Sequence, residues 1–134
     1  MPAQDDATSP PSPVTIHVCV TCRAPGADPD AERPGAVLHR RLAEALAGDP
    51  ALSARIAIAP VECLSVCKRP CTVAATSPGR WTYVWGDLDP ESAIPAILDG
   101  VSRYADAADG IVPWRERPEA FRKGVVARIP PLSR

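Results

Sequence analysis

Five cysteines sit in two short stretches of this chain: Cys19 and Cys22 in "HVCVTCR", and Cys63, Cys67 and Cys71 in "VECLSVCKRPCTVA". CxxC and CxxxC gaps are the spacing of metal ligands and of redox pairs, because a short loop brings both sulfurs to a common centre. Four thiolates suit Zn²⁺ or a [2Fe–2S] cluster, and ligand softness does not choose between the two. Zinc knuckles repeat short CxxC turns with glycine nearby, whereas "CLSVCKRPC" is wider, partly apolar and leads straight into a strand. A buried cluster needs an apolar shell and backbone N–H groups directed at sulfur, and such a loop can supply both. A thiol–disulfide enzyme is the rival chemistry. Its CxxC sits at a helix N-terminus, where the dipole lowers the nucleophile's pKa. Here "RAPGADPDAERPG" follows Cys22, and no helix can start at once. The third alternative is that these cysteines are simply small buried apolar residues.

The elements around the thiols predict how the two stretches meet. "VTIHVCV" (14–20) alternates Val14, Ile16, Val18 and Val20 on one face and reads as a strand ending in Cys19. "RPGAVLHRRLAEALAGD" reads as an amphipathic helix with Val37, Leu38, Leu42, Ala45 and Leu46 on one face, opened by Pro34 and closed by Gly48. "ARIAIAP" (54–60) reads as a buried second strand stopped by Pro60. "TVAAT" (72–76) and "RWTYVWG" (80–86) flank "SPG" as a hairpin. "DPESAIPAILDGVSRYADA" reads as a second helix carrying Ile94, Ile97, Leu98, Val101 and Tyr104, with Ser92 as N-cap and Pro95 in the first turn. The last 24 residues carry little periodicity and are expected to wrap the surface. The order β-α-β-β-β-α, with a parallel crossover followed by an antiparallel hairpin, is that of a thioredoxin-like α/β layer. Parallel first and second strands would release both cysteine loops at the same end of the sheet.

Composition narrows the function further. The chain has 134 residues, 46% of them hydrophobic, which suits one domain: a tail (1–13), a central domain (14–108) and a C-terminal extension (109–134). A net charge of −1 provides no global basic field for nucleic acid. "MPAQDDATSPPSP" lacks the basic and apolar stretches of a secretory signal, and no apolar run approaches the ~20 residues that span a bilayer. The expected compartment is therefore the cytoplasm, where thiols stay reduced. From Pro113 onward, Arg115, Arg117, Arg122, Lys123, Arg128 and Arg134 outnumber Glu116 and Glu119, so the extension is basic.

"VECLSVCKRPCTVAA" and "PGRWTYVWGDLDP", together with "HVCVTCR", resemble a bacterial family of small predicted metal-binding proteins, a branch of the thioredoxin-like [2Fe–2S] ferredoxins. The likeness runs over roughly residues 14 to 130 and includes "GIVPWRERPEAFRKGVVARIPP". The resemblance implies a thioredoxin-like fold, with Cys63 and Cys67 as the later ligand pair and Trp81 and Tyr83 as its aromatic turn. It matches Cys19 and Cys22 to the earlier pair, spaced more tightly here than in ferredoxins of that type. Cys71 stands by as an alternative ligand. A homodimer and a link to cobalamin biosynthesis and cobalt handling are also implied by resemblance.

Lys68 and Arg69, beside the ligands, would stabilise a reduced cluster and attract an acidic redox partner, or else form an ordinary solvated loop. Trp81, Tyr83 and Trp85 form a stripe that packs a sheet or docks a partner. The basic extension docks an acidic partner or packs over the sheet. His17 and His39 lack companions at ligand spacing and read as structural. No catalytic triad, paired-carboxylate site or phosphate loop is present in the sequence. The expected function is one-electron transfer by a [2Fe–2S] cluster on Cys19, Cys22, Cys63 and Cys67, without substrate chemistry. The alternatives are a Zn²⁺- or cobalt-binding delivery protein and a dithiol oxidoreductase.

Overall fold

The computed structural model describes residues 13–21, 32–64 and 69–131. Strand β1 (Val14–Cys19) buries Val14, Ile16 and Val18 completely, as its alternation predicts. Helix α1 (Pro34–Ala47) has Pro34 in its first turn, where the missing N–H would have no intrahelical partner anyway, and it buries Leu38, Leu42 and Leu46. A single turn, α2 (Pro50–Ser53), is capped by the Asp49 carboxylate, which accepts the Leu52 N–H. Strands β2 (Ile56–Val61), β3 (Val73–Thr76) and β4 (Thr82–Trp85) follow. Helix α3 (Ile94–Asp106), a 3₁₀ turn (Trp114–Glu116), helix α4 (Glu119–Lys123) and strand β5 (Val125–Ile129) complete the described chain.

The strands form one sheet in the order β2-β1-β3-β4-β5. β1 and β2 are parallel, while β3, β4 and β5 each run antiparallel to the preceding neighbour in that order. The core joins Leu38 and Leu42 of α1 and Ile97 and Val101 of α3 to Ile16, Val73, Ala75, Tyr83 and Trp85 of the sheet. The β3–β4 hairpin closes through Ser77-Pro78-Gly79-Arg80, with the Arg80 N–H donating to the Ser77 carbonyl at 3.1 Å. Gly79 has φ +77°, the left-handed position that a type II turn with proline before it demands. Arg80, 7% exposed, donates to the Ala105 and Ala107 carbonyls at 3.0 Å each, satisfying acceptors left over at the end of α3. Among the described residues, no helix is long and apolar enough to cross a membrane.

Three features differ from the sequence reading. β2 is an edge strand that contains Pro60, and only its Ile56 is buried. An edge tolerates proline because one row of its N–H groups needs no partner strand. Ala93, not Ser92, is the N-cap of α3. The Asp89 carbonyl accepts the Ala93 N–H at 2.8 Å, and its carboxylate accepts the Glu91 N–H at 2.8 Å, so a turn at 89–93 already leads into the helix. The extension is not a loose wrap: it carries α4 and the edge strand β5, which pairs with β4 through a register shift at Val84/Trp85. Residues 1–12 of the expected tail lie outside the described residues.

Tyr83 and Trp85 of the aromatic stripe are core, while Trp81 is only partly buried. Tyr83 and Trp85 stack at 5.2 Å between centroids, Trp85 stacks on Phe121 at 3.8 Å, and Tyr104 meets Tyr83 edge-on at 5.9 Å. Trp81 lies under the Arg128 guanidinium at 4.6 Å. Burial pushes the Tyr104 hydroxyl up to about 12, against a smaller downward pull from Arg80, and it donates to the Trp81 carbonyl at 2.5 Å. A folded pKa above the unfolded value of about 10 gives stability that is whole below pH 10 and is lost as pH climbs towards 12. Urea midpoints taken across that window should show a loss on the order of 2 kcal/mol that Tyr104→Phe abolishes. A parent and a variant with parallel alkaline profiles would refute this.

Candidate metal centre

The sheet register carries Cys19, Cys63 and Cys71 to one end of the sheet. Cys19 ends β1 opposite Val61 of the parallel β2, so Cys63 follows β2 at the same end. β3 runs antiparallel, with Val73 opposite Val18, so Cys71 precedes it at that end too. The Cys19 N–H donates to the Thr72 carbonyl at 3.1 Å, and the Val20 N–H donates to the Val61 carbonyl at 2.9 Å, locking the three strand ends together. The convergence expected from a parallel crossover therefore holds for Cys19, Cys63 and Cys71. Cys22, Cys67 and Lys68 lie outside the described residues.

The three thiols differ in surroundings. Cys19 and Cys71 are buried at 3% and 2% exposure, whereas Cys63 is exposed. The Cys19 sulfur lies 3.8 Å from the Glu62 carbonyl and 3.7 Å from the Thr21 hydroxyl, which itself donates to that carbonyl. The Cys71 carbonyl accepts the Leu88 N–H at 3.2 Å, and the Pro70–Cys71 peptide is cis. Among the described residues, no three His, Cys, Asp or Glu side chains are gathered closely enough to hold a metal ion.

The charges around the site are also organised. Arg33, just before α1, donates to the Thr21 carbonyl at 2.8 Å. That places a guanidinium at the turn after Cys19. The sequence reading missed Arg33, because no local pattern signals a hydrogen bond across twelve residues. Arg69 is bound to Asp87 at 2.7 Å and is not a solvated loop charge. His17 hydrogen-bonds Thr76 at 2.9 Å on the neighbouring strand, a structural role as expected.

Thiols are soft donors of the kind that bind thiophilic metals or clusters, and of the three described cysteines two are buried and one is exposed. The Glu62 carbonyl beside Cys19 can accept a thiol S–H, so metal binding there would replace that contact with loss of the proton.

The family model described as "Protein of unknown function (DUF1636)" matches residues 16–131. No curated protein matches the sequence. A solved structure of a thioredoxin-like [2Fe–2S] ferredoxin from Aquifex aeolicus is 20% identical with a TM-score of 0.60, over 87% of this chain and 92% of that one. A second structure, the wild type of the ferredoxin so described from the same organism, is 21% identical with a TM-score of 0.58, over 86% and 97% of the two chains. The fold is thus thioredoxin-like, in keeping with the likeness carried by the cysteine motifs. The chain belongs to the family described as protein of unknown function (DUF1636).

Proposed function

We propose that this protein is a one-electron carrier whose [2Fe–2S] cluster is held by Cys19, Cys22, Cys63 and Cys67. The observation that carries the reading is the meeting of the ends of β1 and β2 with the start of β3, which gathers Cys19, Cys63 and Cys71 at one end of the sheet. The fold shared with solved [2Fe–2S] ferredoxins supports it. The cluster, when bound, supplies a reversible one-electron couple. Cys19, fixed by backbone hydrogen bonds, anchors the buried side of the site, and exposed Cys63 leaves the other side open to a partner. Arg33, bonded to the Thr21 carbonyl just after Cys19, supplies positive charge on that side of the proposed site. The redox partner is an acidic protein, a choice supported by Arg33 and by the basic extension.

The test is the visible absorption spectrum of anaerobically purified protein, with iron, sulfide, zinc and cobalt assayed on the same sample. A brown protein with about two irons and two sulfides per chain is expected. A colourless protein with about one zinc, or a blue-green one with about one cobalt, and no iron uptake on reconstitution, would replace electron transfer with metal binding and delivery.

A further inference from the structure

We infer that Arg69 is a positioning residue for the thiol centre, tying the C-terminal leg of the three-cysteine loop to the C-terminal extension. The inference rests on the metal-site reading and adds a residue to it. Arg69 lies between Cys67 and Cys71 in sequence. Its carbonyl accepts the Asp87 N–H at 2.9 Å and the Thr72 hydroxyl at 3.2 Å. Its guanidinium donates to the Asp87 carboxylate at 2.7 Å, the Lys123 carbonyl at 3.1 Å and the Val125 carbonyl at 3.4 Å. The neighbouring Cys71 carbonyl accepts the Leu88 N–H. Gly86 allows the close approach: a Cβ there would come within 2.7 Å of the Arg69 carbonyl oxygen and 2.9 Å of its Cβ.

Three segments thus interlock: 69–72, 86–88 and 123–125. The third belongs to the extension, and Gly86 donates to the Gly124 carbonyl at 2.7 Å, so the fork of Arg69 reaches a surface already joined to β4. A guanidinium holds several acceptors in one plane, whereas a lysine ammonium is a point charge on a flexible stem. Asp87 neutralises the Arg69 charge at the site, so Arg69 acts by holding the loop and not by attracting a partner.

The whole chain carrying Arg69→Lys, with Asp87→Asn as the milder variant, tests this. In the reduced, metal-free protein, alkylation of each cysteine by iodoacetamide is followed by mass spectrometry, with Cys19 as internal reference because its sulfur contacts, the Thr21 hydroxyl and the Glu62 carbonyl, lie outside segment 69–72. Cys71 should be labelled about tenfold faster in Arg69→Lys and more modestly faster in Asp87→Asn, the scale of losing charge-assisted hydrogen bonds from a local opening. Cys19 should stay within about twofold of the parent. In the metal-loaded protein, release to a chelator should quicken in the same order. Unchanged Cys71 labelling in both variants overturns the inference, and so does equal acceleration at Cys19 and Cys71, which would mark general loosening. If the parent takes up no metal, the metal reading fails while Cys71 labelling still decides the role of Arg69.

Discussion

Gly100→Ala in α3 is expected to destabilise the fold by about 2–4 kcal/mol, reversing the roughly 1 kcal/mol gain the same exchange brings inside an exposed helix. Gly100 is buried, and a Cβ on it would overlap the ring of Phe121. That ring has nowhere to retreat, being 2% exposed and stacked on Trp85 at 3.8 Å. Moving it shifts α4, and with α4 the Lys123 and Val125 carbonyls that hold Arg69. Urea unfolding measures the effect directly. A smaller ring site should relieve it, so Gly100→Ala with Phe121→Leu should recover part of the loss, a coupling expected of residues in contact. An unchanged or raised midpoint for Gly100→Ala alone would show that the α3–α4 contact yields without cost.

Serine at Cys19, Cys22, Cys63 or Cys67 is expected to remove most of the bound metal and any visible chromophore, whereas Cys71→Ser retains most of both. A hard hydroxyl is a poor replacement for a soft thiolate, and a tetrathiolate site missing one ligand opens to water. Cys71 is buried in the core with Cys19, Val73 and Leu88, so its serine variant sets a hydroxyl among apolar neighbours. That costs about 1–3 kcal/mol of stability without removing a ligand. Metal content and absorbance on one sample separate these effects from unfolding, followed by circular dichroism. Equal metal loss from Cys67→Ser and Cys71→Ser would overturn the ligand set. In a dithiol reductase, only Cys19→Ser and Cys22→Ser would abolish disulfide turnover, with the other three variants active.

Much of the fold was legible where a local pattern dictates backbone geometry. The Val14-Ile16-Val18 alternation, the Leu38-Leu42-Leu46 spacing and the Pro78-Gly79 turn each reach the structure as read. Ser92 misled because a capping residue type says nothing about the turn that Asp89 builds before it. Pro60 misled because its tolerance depends on whether the strand lies at an edge, a property of the sheet and not of the peptide. At the site, the crossover predicted that the two cysteine stretches converge, while the partners of Arg33 and Arg69 could not be read, since they are backbone carbonyls and a carboxylate distant in sequence.

Composition, periodicity and φ preference are local, so the thiols and their gaps, the β-α-β-β-β-α order and the basic character of the extension follow from the residues alone. The packed chain decided that β2 is an edge, that "VVARI" becomes β5 and that Arg69 pairs with Asp87. Strand pairing and ion pairing depend on which distant backbones meet, and that is settled only once α1 and α3 have packed against the sheet.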